Sequence, residues 1–122
     1  MIDFGTCLKQ FRKSRGESLL TLSNKLGVGV SFLSALESGK KVIPLEYGNK
    51  ISDALNLTNE ESIILKNSID YSNNRVVFDL SLFNDDKKKF VIDFARLMEN
   101  SNLDVNEIKK ILISKIKDED GD

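Results

Sequence analysis

Residues 19–40, LLTLSNKLGVGVSFLSALESGK, hold the residue types and spacing best suited to chemistry, and that chemistry is contact with a polyanion rather than bond making. Two short stretches of helical period flank Leu26-Gly27-Val28, and the second runs out in Glu37-Ser38-Gly39-Lys40-Lys41. A glycine at the corner and cations at the far end are the layout of a helix held out to lie in a DNA groove.

Catalytic chemistry finds little to work with. The chain has no histidine, and Ser-His or Cys-His nucleophiles and the usual zinc sites need an imidazole or several thiolates. Its single cysteine, Cys7, excludes an internal disulfide and falls among the apolar positions of the first helical stretch, where it reads as a small buried hydrophobe. The paired carboxylates Asp85-Asp86 and Glu60-Glu61 each open a helical stretch, where negative charge offsets the helix dipole. The expectation is a protein that is not an enzyme and takes no metal and no cofactor.

The 122 residues suffice for one ordinary domain, or a small helical domain with a dimerising extension. Apolar residues make up 40 % and charged residues 30 %, a globular composition, and a single proline, Pro44, leaves helices free to dominate. No leading apolar run with a basic flank and no bilayer-length stretch is present, which predicts a cytoplasmic protein without membrane contact. The net charge of −1 hides an asymmetry. Residues 1–50 carry eight Lys/Arg against four Asp/Glu, a net +4, whereas residues 51–122 carry ten against fifteen, a net −5. The basic half contains the two-helix motif; the acidic half would repel DNA and suits contact with protein.

The elements that must position the motif follow from period and caps. A first helix is predicted over Asp3 to Ser14, with Phe4, Leu8 and Phe11 in one stripe and Gly16 as its end. Ser18 caps a second helix with Leu19, Leu22 and Leu26 inward and Ser23 allowing close approach. Gly27 makes the turn, Val28 seals the corner, and a third helix over residues 30–38 buries Leu33 and Leu36. A fourth helix after Pro44 turns Tyr47, Ile51, Ala54 and Leu55 inward. Thr58 with Glu61 forms a capping box that starts a fifth, running to about Asp70, and Ser72-Asn73-Asn74 reads as a linker.

Beyond it, Arg75 to Leu82 places Val76, Phe78, Leu80 and Leu82 on one side at strand period. A lone strand has no partner within the chain, so pairing with the same strand of a second copy across a two-fold axis is the expected arrangement. Asn84 opens a sixth helix with Phe90, Val91, Phe94, Leu97 and Met98 along one side. Asp104 caps a seventh with Val105, Ile108, Leu112 and Ile116, and an acidic tail ends the chain. Dimerisation is thereby assigned to Val76, Phe78, Leu80, Leu82, Phe90 and Phe94. Leu20 and Phe32 fall at exposed positions, and Lys87-Lys88-Lys89, flanked by Asp85, Asp86 and Asp93, reads as a solvated face.

Phe4 to Leu57, above all Leu8 to Arg12, Leu26-Gly27-Val28, Leu33-Ser34, Leu36-Glu37-Ser38-Gly39-Lys40 and Pro44, resembles the Xre-type, lambda-repressor-like (Cro/CI-type) helix-turn-helix family of bacterial and phage regulators. The resemblance implies an all-α, five-helix domain over residues 1–71. A short strand and two helices for dimerisation over 75–117 and the acidic tail 118–122 are read from period and charge alone. It also implies a partly buried ion pair between Arg12 and Glu37, a groove-facing surface of Gly29, Val30, Ser31, Ser34 and Ala35, and phosphate contacts by Ser38, Lys40 and Lys41.

The groove face departs from the family pattern. Where relatives often carry Gln, Asn, Arg or Lys, this chain offers Val30, Ser31, Ser34 and Ala35, none able to make a bidentate contact to guanine or adenine. Readout then falls to the thymine methyl against Val30 or Ala35, to hydroxyl and water-mediated bonds, and to the shape of A·T-rich DNA. The expected function is a sequence-specific regulator, a repressor binding a palindromic operator on double-stranded DNA as a homodimer. The alternative is a protein-binding module, such as an antitoxin or a phage-encoded inhibitor, whose C-terminal half engages a second protein.

Overall fold

The computed structural model describes the backbone of residues 1–100 and 102–120, and side chains over 1–99 and 102–115. Seven α-helices follow one another: α1 (Phe4–Ser14), α2 (Leu19–Leu26), α3 (Val30–Glu37), α4 (Tyr47–Ala54), α5 (Asn59–Asn73), α6 (Asp85–Asn100) and α7 (Val105–Asp120). One 3₁₀ turn, Leu80–Leu82, lies between α5 and α6. The chain divides into two units, Met1–Val77 and Phe78–Asp122.

Side-chain caps start three helices of the first unit. Asp3 accepts from the Thr6 N–H at 2.7 Å to begin α1. Ser18 and Thr21 bond reciprocally across the first turn of α2. Thr58 and Glu61 do the same at α5, with N–H···O distances of 3.0 and 3.1 Å. Each box satisfies orphan N–H groups that a helix start otherwise leaves to water. Helix ends repeat another device, a left-handed residue followed by an N–H that reaches back to the last turn. At α2 the residue is Gly27 (φ 70°), and the Val28 N–H closes on the Ser23 carbonyl at 3.1 Å. Asn56 and Asn74, both at φ 53°, serve the same purpose after α4 and α5.

The core lies entirely in the first unit. Phe4, Cys7 and Leu8 of α1, Leu22 of α2, Leu33 and Leu36 of α3, Ile51 of α4, and Leu65 and Ile69 of α5 are essentially inaccessible, with Ile43, Tyr47 and Leu55 around them. Helix α1 packs on α5 and α3, α2 on α3 and α4, and α4 on α5. Small residues let these crossings close. The buried hydroxyls of Ser23, Ser52 and Ser68 each donate to a carbonyl one turn back on their own helix, and among the described residues no buried side-chain polar atom lacks a partner.

Two expectations about the chain after Asp70 are corrected. Ser72 and Asn73 are not linker; they complete the last turn of α5 and tie it to the rest of the unit. The Ser72 hydroxyl accepts from the Phe4 N–H at 2.8 Å. The Asn73 amide brackets Ile43, accepting from its N–H at 3.0 Å and donating to its carbonyl at 2.8 Å.

The strand expected over Arg75 to Leu82 does not form, and no β-strand occurs among the described residues. Asp79 is the reason. Its carboxylate accepts from both the N–H and the hydroxyl of Ser81, and its carbonyl takes the Leu82 N–H at 3.2 Å, so the chain coils into the 3₁₀ turn halfway along the alternating stretch. The same bonds hold the Asp79 carboxyl below its ordinary pKa. Two-fold strand pairing through Val76, Phe78, Leu80 and Leu82 falls with it. Val76, Phe78 and Leu82 are exposed, Leu80 is half-buried, and the Phe78 ring sits 6.3 Å from that of Phe83.

The second unit has α6 opened by the Asn84 side chain and α7 by that of Asp104. Among its described residues no side chain is buried. Phe90 and Phe94 stack at 6.2 Å on one face of α6, still 63 % and 40 % exposed. Lys89 pairs with Asp93 at 2.5 Å, one turn on. The side chains of Ile116 and of 118–122 lie outside the described residues. Among the described residues no single helix is long and apolar enough to cross a membrane.

Candidate nucleic-acid interface

Helix α3 is held from three sides. Inside, Leu33 and Leu36 enter the core. At its C-terminal end the Arg12 guanidinium grips Glu37 with two bonds, Nε to Oε2 at 3.2 Å and Nη2 to Oε1 at 3.0 Å, and a third donor reaches the Glu17 carbonyl at 3.1 Å. Both charged side chains are about nine-tenths buried. Beside this pair α1 approaches so closely that a Cβ on Gly5 would lie 2.0 Å from the Glu37 carbonyl oxygen. On the third side Phe32 tilts against Tyr47 with ring centroids 5.8 Å apart, so a residue whose period marks it as exposed is half-buried. Leu20, the other such residue, does stay exposed.

The axes of α2 and α3 cross at 113° about Gly27. That corner turns the opposite face of α3 outward: Gly29, Val30, Ser31 and Ser34 are exposed and Ala35 is half-buried. These five residues, named from the sequence as groove-facing, are brought onto one surface. Four of them, with Leu19 and Lys40 among their neighbours, line a shallow concavity. Leu19, the first residue of α2, packs half-buried against the core as its stripe predicts and also contributes an edge to this surface.

The phosphate candidates differ among themselves. Gly39, at φ 79°, turns the chain out of α3, and the Lys40 N–H closes on the Ala35 carbonyl at 2.9 Å. The Lys40 side chain is exposed and has no ion-pair partner among the described residues. The Lys41 ammonium sits 5.3 Å over the Phe32 ring, a cation–π contact that restrains it. Ser38 bonds its hydroxyl to the Ala35 carbonyl at 3.3 Å. Gly29 starts α3 with no side-chain cap, unlike α1, α2 and α5.

Acidic groups near the motif are engaged. Glu17 is bonded by Lys25 and Thr21, and Glu61 by the Thr58 N–H and by Arg15 at 2.8 Å; these bonds hold both carboxyls below their ordinary pKa. Burial raises the Cys7 thiol, which is fully enclosed. No group of three or more Cys, Asp or Glu among the described residues is arranged to hold a metal ion.

Gly5 supports this surface and Leu19 borders it, and neither was read from sequence as part of the site. Only Gly5 carried a usable signal, since glycine in a helix is unfavourable by about 1 kcal/mol relative to alanine and its presence points to a close approach.

Residues 8–61 match the family model described as helix-turn-helix. Searches of curated proteins and of solved structures returned no match. With α2, the Gly27 corner and α3 inside the matched span, residues 8–61 are similar to the Xre, Cro/CI-type helix-turn-helix domain, a family of DNA-binding regulators.

Proposed function

We propose that the protein is a repressor that occupies a palindromic operator as a homodimer, inserting the exposed face of α3 into successive major grooves. The observation that carries this reading is the frame around α3. A helix whose buried side is locked by Arg12–Glu37 and whose open side ends in the unpaired Lys40 is rigid where it must be and cationic where phosphate would lie. Base contacts are assigned to Gly29, Val30, Ser31, Ser34 and Ala35, and phosphate contacts to Ser38, Lys40 and Lys41.

Dimerisation is assigned to α6 and α7, with Phe90 and Phe94 at its centre, in place of the absent strand. A unit in which no described side chain is buried gains little from folding alone, and a second copy offers a matching apolar face. The same exposure supports a second reading, in which α6 and α7 engage a different protein, as in an antitoxin or a phage-encoded inhibitor. Mass measurement of the pure protein separates the two, because only the first requires a dimer without an added partner.

The DNA reading is tested by titrating A·T-rich palindromic duplexes at several salt concentrations. Affinity is expected to fall steeply with salt, and Lys40→Ala and Lys41→Ala each to flatten the slope by about one unit. No complex at low salt with any duplex would end this reading.

A further inference from the structure

We infer that Leu19, together with Val30 and Ala35, forms an apolar notch that reads the 5-methyl group of a pyrimidine, which makes Leu19 a specificity-determining residue. The inference rests on the DNA-binding reading and concerns what that surface can distinguish. The concavity on the open side of α3 is lined by Leu19, Val30 and Ala35, by three serines, and by Lys40. Its lining has three apolar side chains, hydroxyls and one cation, with no carboxylate, amide or guanidinium.

With Lys40 assigned to phosphate, the remaining side chains cannot pair two bonds with a purine edge, and the apolar feature a base edge presents in the major groove is the methyl at pyrimidine C5. The cation at the rim supplies the complementary charge for the adjoining phosphate, which fixes duplex DNA as the occupant over an apolar peptide. The notch is also stiff. Leu19 is the first residue of α2, directly after the Ser18–Thr21 capping box, and Val30 and Ala35 ride on the locked α3. Gly29, lacking a side chain before Val30, leaves the approach to it open. Ser31 and Ser34 can bond either kind of base and so add affinity without choosing between them.

A methyl at C5 is common to thymine and 5-methylcytosine, so the notch should accept both and reject uracil and cytosine. A duplex selected from a randomised pool by the full-length protein supplies the reference site. Replacing each thymine by uracil in turn, with wild-type protein and anisotropy as the readout, is expected to weaken binding about four-fold at one matching position in each half-site. Restoring the methyl there as 5-methylcytosine, opposite guanine, should bind more tightly than cytosine at the same place. Leu19→Ala and Val30→Ala should each erase the thymine–uracil difference while leaving the salt slope unchanged, a slope that also reports an intact fold. Uracil tolerated at every position, with salt-dependent binding retained, would overturn the methyl notch and leave DNA binding standing. Failure to select any duplex would remove both.

Discussion

The guanidinium of Arg12 makes three hydrogen bonds with its side chain only 10 % exposed, so its value to the fold depends on having every partner present. Taking away one charge strands the other in a poorly solvated place. Glu37→Met is therefore expected to destabilise the first unit by about 3–5 kcal/mol in urea unfolding, and Arg12→Met/Glu37→Met by less than Glu37→Met alone. A loss in the double variant equal to the sum of the two single losses would show that the pair is not coupled. Gly5 acts at the same joint through absence. Gly5→Ala puts a methyl into the Glu37 carbonyl, where the obstacle is backbone that cannot swing aside, and a loss of about 3 kcal/mol is expected from the same measurement. The Arg12–Glu37 relation was legible because the spacing matched a family pattern. The Gly5 contact was not, since which carbonyl it meets depends on how two helices cross.

At the scale of the element, caps were the most readable feature, because an N-cap needs only its own next three residues. The Thr58–Glu61 box is where local sequence and acid sensitivity meet. Glu61 is held below its ordinary pKa first by the Thr58 N–H and then by Arg15, so its contribution is full above the unfolded carboxylate range and lost as pH falls through the folded value. The thermal midpoint should be flat above about pH 5 and fall below about pH 4, and Glu61→Gln, which keeps the box but cannot ionise, should shallow that acid limb. An acid limb of unchanged steepness would move the effect to Asp3 and Glu17, whose pKa values are lowered in the same direction. Periodicity misled where a side chain could compete with the backbone. The alternation around Phe78 and Leu80 satisfied a strand template, but the Asp79 carboxylate turned it into a 3₁₀ turn. Polarity misled in the opposite sense at Ser72 and Asn73, whose side chains serve distant backbone groups.

For the whole molecule the contrast between the two units governs behaviour. The first unit has a sealed core; the second leaves Phe90, Ile92, Phe94, Leu97, Met98, Val105, Ile111, Leu112 and Ile113 at least two-fifths exposed. If those faces meet in a second copy, Phe90→Glu/Phe94→Glu should convert the dimer to a monomer in sedimentation while the thermal transition of the first unit stays in place. A dimer that survives both substitutions would remove α6 from the interface. Weakened operator binding should accompany the monomer, since each half-site offers few base contacts and affinity has to be gathered from two.

The sequence alone determined what nearest neighbours and repeating period control: seven helices, their caps, the Gly27 corner, the absence of histidine, and the residue types on the outer face of α3. It could do so because those properties depend on residues within a turn or two of one another. Tertiary structure decided the rest. Packing of α1 across α3 put Gly5 against the Glu37 carbonyl and nearly enclosed Arg12, and the angle between α2 and α3 let Leu19, packed against the core, also border the open surface. Each of these is a matter of which distant groups come within hydrogen-bonding or van der Waals reach, and no local pattern carries that information.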